Sequence, residues 1–125
     1  MSNHFIIQIA GFYCIGLSVF HILFWRLFDW KRDLKKVSLA NRAILQIANI
    51  QLIYFFLLVA SICFVFTDEL YQTALGKFFM LGMSMFWLVR TIQQFIFLRI
   101  NHWAVNLLTI VFLFGCLIFA LPLLI

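Results

Sequence analysis

Phe86-Trp87-Leu88-Val89-Arg90-Thr91-Ile92-Gln93-Gln94-Phe95 sets an arginine, a threonine and two glutamines inside a run that otherwise reads as membrane-spanning helix. A charge at that depth costs roughly 2.5–3.5 kcal/mol on insertion scales and more by simulation. An intramembrane ionisable residue is therefore a functional hypothesis by default. The stretch marks a spanning helix and a candidate site together.

The rest of the chain agrees with a membrane reading. Of 125 residues, 66% are hydrophobic, 19% aromatic and only 10% charged. A soluble domain is usually about half apolar and a quarter charged, so this composition lies outside the globular range. The length allows one domain, 1–125. The net charge of +5 does not point to nucleic acid, because the basic residues sit at helix ends and form no broad face. Cys14, Cys63 and Cys116 fall on three different apolar segments, which is no disulfide framework.

The expected fold is all-α, a polytopic bundle of four antiparallel transmembrane helices over about 5–27, 41–66, 69–98 and 102–124, each meeting the roughly 20 residues a span needs. In the first, Gly11, Cys14, Ser18, His21 and Trp25 recur at helical spacing and form a small and polar stripe. Residues 28–40 read as an interfacial amphipathic segment, with Trp30, Leu34 and Val37 opposite Lys31, Arg32, Lys35 and Lys36. Ser38 is placed to cap the second helix, and Arg42, Gln46 and Asn49 share a face near its start. Thr67-Asp68-Glu69 reads as the turn into the third helix, whose stripe is Met80, Met83, Trp87, Arg90, Gln94 and Phe97. Asn101 is placed to cap the fourth, with His102, Asn106, Thr109, Leu113, Cys116 and Ala120 as its stripe.

The first loop collects Arg26, Lys31, Arg32, Lys35, Lys36 and Arg42, whereas the second carries Asp68, Glu69 and Lys77 and the short third loop has Arg99. Basic loops stay cytoplasmic, so both termini are expected outside and the first and third loops inside, as in a bacterial inner membrane. With the helices antiparallel, His21, Asn49, Arg90 and Thr109 fall about 8–14 Å from the cytoplasmic ends, and Gln46, Gln94 and Asn106 fill the layer just below. The outer half is expected to be almost wholly apolar. These seven residues are the candidate ligand-binding set.

No Asp or Glu lies within any expected span, so no nucleophile–base–acid set and no proton-exchanging carboxylate are present. A metal site needs more N, O or S donors than this layer offers. His21 and His102 differ in depth by roughly 8 Å, too far to share one haem iron easily. Three readings of Arg90 stay open. It can snorkel to the cytoplasmic surface, though helix side chains lean toward the N-terminus and hence here toward the bilayer centre. It can lock the bundle by donating to Gln46 or Asn49. Or its guanidinium, with no carboxylate to pair it, meets an anionic or carbonyl-bearing ligand.

Arg42 through Asn49, and Arg90 through Gln93 and Gln94, resemble two segments of the membrane-associated eicosanoid and glutathione metabolism family. The family's helix-two glutamate would fall where Gln51, Leu52 and Ile53 stand here. The resemblance implies a trimer that holds an anionic peptide or lipid in the cytoplasmic half. The functional expectation is a small binding or accessory protein for a membrane lipid, quinone or isoprenoid phosphate. The alternatives are a glutathione- or lipid-thiol transferase and a structural subunit of a membrane complex. Either way a homo-oligomer or complex subunit is expected, and the sequence singles out no cofactor.

Overall fold

The computed structural model describes residues 2–125 and is all-α, with no strand among them. In chain order the elements are α1 (Asn3–Ile22), α2 (Phe24–Leu27), α3 (Trp30–Asp33), a 3-10 turn (Leu34–Lys36), α4 (Leu39–Val65), α5 (Thr67–Gln72), α6 (Ala74–Phe97) and α7 (Trp103–Leu124). Four of them, α1, α4, α6 and α7, are long and apolar enough to cross a membrane. Helices satisfy their own backbone polar groups, which is what hydrocarbon demands of a spanning segment. This is the pattern of a multi-pass membrane protein. The chain divides into two compact units: Gly11–Ile62, and Cys63–Ile125 together with the first helical turns up to Ala10.

Within Gly11–Ile62, α1 and α4 run antiparallel. Ser18 Oγ donates to the Ile53 carbonyl at 3.2 Å, and beyond the end of α1, Trp25 Nε1 donates to Gln46 Oε1 at 3.1 Å. The first helix does not continue to residue 27 as its hydropathy predicts. It stops at Ile22, and the Leu23 amide is shared between the Val19 and Phe20 carbonyls at 3.1 Å each. The His21 carbonyl instead accepts from Asn49 Nδ2 at 2.8 Å. A side chain inserted into the helical ladder is a recognised cause of a kink, and it arrives from another helix, so apolar periodicity carries no sign of it. After α2, Asp29 adopts the left-handed conformation (φ 49°) and turns the chain into α3. Leu34 is buried while Lys31, Arg32, Lys35 and Lys36 are exposed, so the connection is amphipathic. The Ser38 hydroxyl accepts from the Asn41 amide at 3.4 Å at the start of α4.

In the other unit, α6 and α7 form an antiparallel hairpin. Ser84 Oγ donates to the Cys116 carbonyl at 2.8 Å, and the Trp87 and Phe112 rings stack 5.8 Å apart. The buried stripe of α6 is Met80, Met83, Trp87 and Gln94, much as its spacing predicts, but Phe97 is exposed. On α7 the buried residues are Phe112, Gly115, Ile118, Phe119 and Pro122, and the expected Leu113 faces outward. Helix α7 is apolar all round, so periodicity alone cannot choose its packed face.

The turn between α4 and α6 also differs from its expected form. Thr67–Gln72 is a separate short helix, and α6 begins at Ala74. Thr73 caps it, with Oγ1 accepting from the Gly76 amide at 2.9 Å and donating to the Glu69 carbonyl at 2.6 Å. The N-terminal turns of α1 are tied here as well. Gln8 Nε2 donates to Thr67 Oγ1 at 2.8 Å, a polar contact in a region expected to be apolar. His4 Nδ1 and the Tyr71 hydroxyl both meet Asp68 Oδ1, at 3.0 and 3.1 Å. These bonds, His4 first, hold the Asp68 carboxyl below the usual carboxylate range. A depressed folded pKa gives a contribution present above the unfolded value of about 3.9 and lost as pH falls through the folded one.

Glycines supply a direct test of this packing. A Cβ at Gly76 would run into the backbone of Glu69 and Leu70, whereas one at Gly16 meets nothing within 4 Å. Gly76→Ala is expected to destabilise the fold by about 1–3 kcal/mol through overpacking. Gly16→Ala should be neutral or stabilising, by up to about 1 kcal/mol. Unfolding in bicelles by steric trapping reads both, and equal effects would contradict the close approach of α5 to α6.

Candidate functional site

The seven residues singled out by sequence fall into two groups, one in each compact unit. His21, Gln46 and Asn49 lie in the first. His21 Nδ1 lies 2.8 Å from the Leu17 carbonyl and its ring stacks on Phe24 at 4.4 Å, with Phe56 at 5.2 Å. Gln46 accepts from Trp25 and donates to the Arg42 carbonyl at 3.2 Å. Asn49, 3% exposed, spends its amide donor on the His21 carbonyl, while its Oδ1 has no partner among the described residues. What this group does in the structure is hold the kink at Leu23.

Arg90, Gln94, Asn106 and Thr109 lie in the α6–α7 hairpin, and Gln94 is its centre. The side chain is 1% exposed, donates through Nε2 to the Val105 carbonyl of α7 at 3.1 Å, and accepts through Oε1 from Arg90 Nη1 at 3.2 Å. One amide thus ties two helices together and holds a cation. Arg90 Cζ sits 4.5 Å from the centroid of the Phe112 ring, a cation–π contact worth about 0.5–2 kcal/mol depending on desolvation. Thr109 Oγ1 donates to the same Val105 carbonyl at 3.1 Å. That oxygen therefore receives a side-chain donor from each helix.

The hairpin's connecting end opens into a cleft of about 310 Å³. Gln94, Asn106 and Thr109 line it, joined by Arg99 and Asn101 from the loop and by an apolar wall that includes Phe95, Leu98 and Val105. Asn106 Nδ2 donates to Asn101 Oδ1 at 3.2 Å, which fixes both amides at the mouth. Asn101 is thus a side-chain partner and not the helix cap: His102 caps α7, its Nδ1 accepting from the Ala104 amide at 3.2 Å. Arg99 is exposed and makes no hydrogen bond or ion pair among the described residues. Arg90 is not part of this lining. It borders a separate open cleft of about 380 Å³ along the outer face of α6.

Sequence reasoning missed Arg99 and Asn101 as site residues, having taken one as a loop charge and the other as a cap. The signal available was their place in the short loop directly before Asn106. No group of three His, Cys, Asp or Glu side chains able to hold a metal comes together among the described residues. The arrangement offers hydrogen-bond donors, a free guanidinium and an apolar wall, which suits binding of an anion-headed amphiphile.

Gln94→Leu should destabilise the fold by about 0.6–1.7 kcal/mol, the range for interhelical hydrogen bonds in membranes. Gln93→Leu, on the exposed face, should change it by less than about 0.5 kcal/mol. Steric trapping in bicelles reads both, and the reverse order would contradict the bridging role of Gln94. Against protein-family models, curated proteins and solved structures the chain matches none, so its function rests on the chemistry of its own site.

Proposed function

We propose that this chain is an integral membrane binding or accessory protein that holds the polar head of an amphipathic anionic or carbonyl-bearing molecule in the α6–α7 cleft. The observation that carries this reading is the convergence of Gln94, Asn106 and Thr109 on one cleft with the unpaired guanidinium of Arg99 at its edge. Arginine matches phosphate and carboxylate through a planar fork of donors, and a charge-assisted bond of this kind is stronger than a neutral one. Asn101 and Asn106 add donors for ester or phosphate oxygens, and Phe95, Leu98 and Val105 offer a wall for the first methylenes of a chain. At about 310 Å³ the cleft lies at the small end of ligand pockets, which suits a headgroup with its acyl or isoprenoid tail left in the bilayer.

The basic excess of the first loop supports a cytoplasmic side for the basic connections, and on this proposal the headgroup is taken from the inner leaflet. Phosphate-bearing lipids make that leaflet electronegative, which adds attraction for the exposed Lys31, Arg32, Lys35 and Lys36. The family resemblance, with its anionic ligand in the cytoplasmic half, supports the same location.

Native mass spectrometry of the protein extracted in mild detergent tests this reading. The expected wild-type spectrum carries a phosphate- or carbonyl-bearing adduct. Arg99→Ala should reduce its occupancy about tenfold or more, the loss of one hydrogen bond to a charged group, and Arg26→Ala, outside the cleft, should not. A wild-type protein without adduct, or one whose adduct survives Arg99→Ala unchanged, would overturn the proposal.

A further inference from the structure

Arg90 presents a separate problem. Its guanidinium carries five N–H donors, and among the described residues only one is used, in the bond to Gln94 Oε1. It is half-buried at the border between the face of α6 packed on α7 and the face that points outward. That outer face carries the open cleft of about 380 Å³, lined by Gly82, Met85, Phe86, Val89, Arg90 and Gln93. All six come from α6 itself, so within its own unit no other described element lines it. Met85 and Val89 are 48% and 47% exposed, and a Cβ built at Gly82 meets nothing within 4 Å. The result is a notch in a spanning helix where another backbone can approach closely, with a cation about two turns and an amide about three turns further along.

The geometry points to a docking face for one transmembrane helix of another protein that carries an Asp or Glu at the depth of Arg90. Charge complementarity selects this occupant. The chain's own acids, Asp29, Asp33, Asp68 and Glu69, all lie outside the four long helices. No intrachain carboxylate therefore neutralises Arg90, and a second copy seated on the same face would bring one Arg90 toward another with no acid between them. A carboxylate would take a bidentate pair from the unused donors, and Gln93 would supply a further donor beside it. Ionisable groups within membranes persist where they are paired, and a partner acid would relieve the cost that Arg90 carries alone. This inference stands apart from the headgroup cleft, which shares none of its lining residues.

Fluorescence energy transfer in phosphatidylcholine vesicles tests it. The full-length labelled protein would be mixed with labelled Leu/Ala peptides of about twenty residues. Each peptide carries Asp, Asn or Leu about seven residues from one end, near the roughly 10 Å depth of Arg90 from the end of α6. The Asp peptide is expected to associate about tenfold more tightly than the Leu peptide, a modest share of the cost of an unpaired intramembrane charge. Arg90→Leu should remove that preference and Arg90→Lys should keep part of it. Gly82→Phe should weaken binding of the Asp peptide by filling the notch, and the open space at that position lets this variant fold even if Arg90→Leu does not. Equal binding of the three peptides, or an Asp preference that survives Arg90→Leu, would overturn the proposal. So would Arg90-dependent capture of added phosphatidylglycerol without any helix preference, which would make the occupant a lipid, and so would disulfide-linked homodimers of Gln93→Cys.

Discussion

A single buried amide, Gln94, carries the constraint on which the candidate site depends. Hydrocarbon leaves no water to satisfy a polar group, so each one placed there must find a partner in the protein or in what the protein binds. Gln94 meets this with both ends of its side chain, donating to the Val105 carbonyl and accepting from Arg90. Its donor end sets the distance between α6 and α7 at the height of the cleft. Its acceptor end holds the guanidinium over Phe112. Remove the amide and the wall of one site and the cation of the other lose their common support.

The hairpin consequently separates two cations by role. Arg99 stands exposed at the connecting end, where a charge is well hydrated and free to meet a headgroup. Arg90 lies within α6 on a different face, held by one hydrogen bond and one aromatic ring, with donors left over. The surplus is what the proposed partner acid would take up. In the Gly11–Ile62 unit the polar side chains behave differently. Trp25 and Gln46 satisfy each other, and Asn49 answers a carbonyl released by the end of α1. Those contacts shape the chain near Leu23 and account for most of the polarity there without a ligand.

Much of the architecture was legible from the residues. Length, apolar runs and the absence of interior acids place four spanning helices within a few residues of where they lie. The spacing of Met80, Met83, Trp87 and Gln94 marks the packed face of α6. Three features were not legible, and each for a physical reason. The break at Leu23 is held by Asn49, twenty-six residues away along the chain, so no local pattern announces it. The packed face of α7 is hidden because apolar residues surround that helix on all sides, and contacts across the hairpin, such as Phe112 against Trp87 and Ser84 on the Cys116 carbonyl, choose it. Asn101 reads as a cap and Arg99 as a loop charge because their place in the cleft comes only from the way the hairpin encloses it. Arg90, by contrast, is conspicuous in the sequence; the protein partners weighed for it there, Gln46 and Asn49, lie on the second helix, and the bond observed goes to Gln94, one turn along its own helix.

The central claim is that the α6–α7 cleft receives an anionic headgroup against Gln94 and its neighbours. The most direct measurement follows the side-chain amide resonances of Gln94, Asn101 and Asn106 by nuclear magnetic resonance in bicelles, as phosphatidylcholine is replaced stepwise by phosphatidylglycerol or by an isoprenoid phosphate. The account predicts saturable shifts of these three amides with at least one of the two anionic species. It also predicts that Gln72, far along the chain outside the cleft, stays still. Amides of the cleft that remain unmoved, or that shift only in step with Gln72, would contradict it.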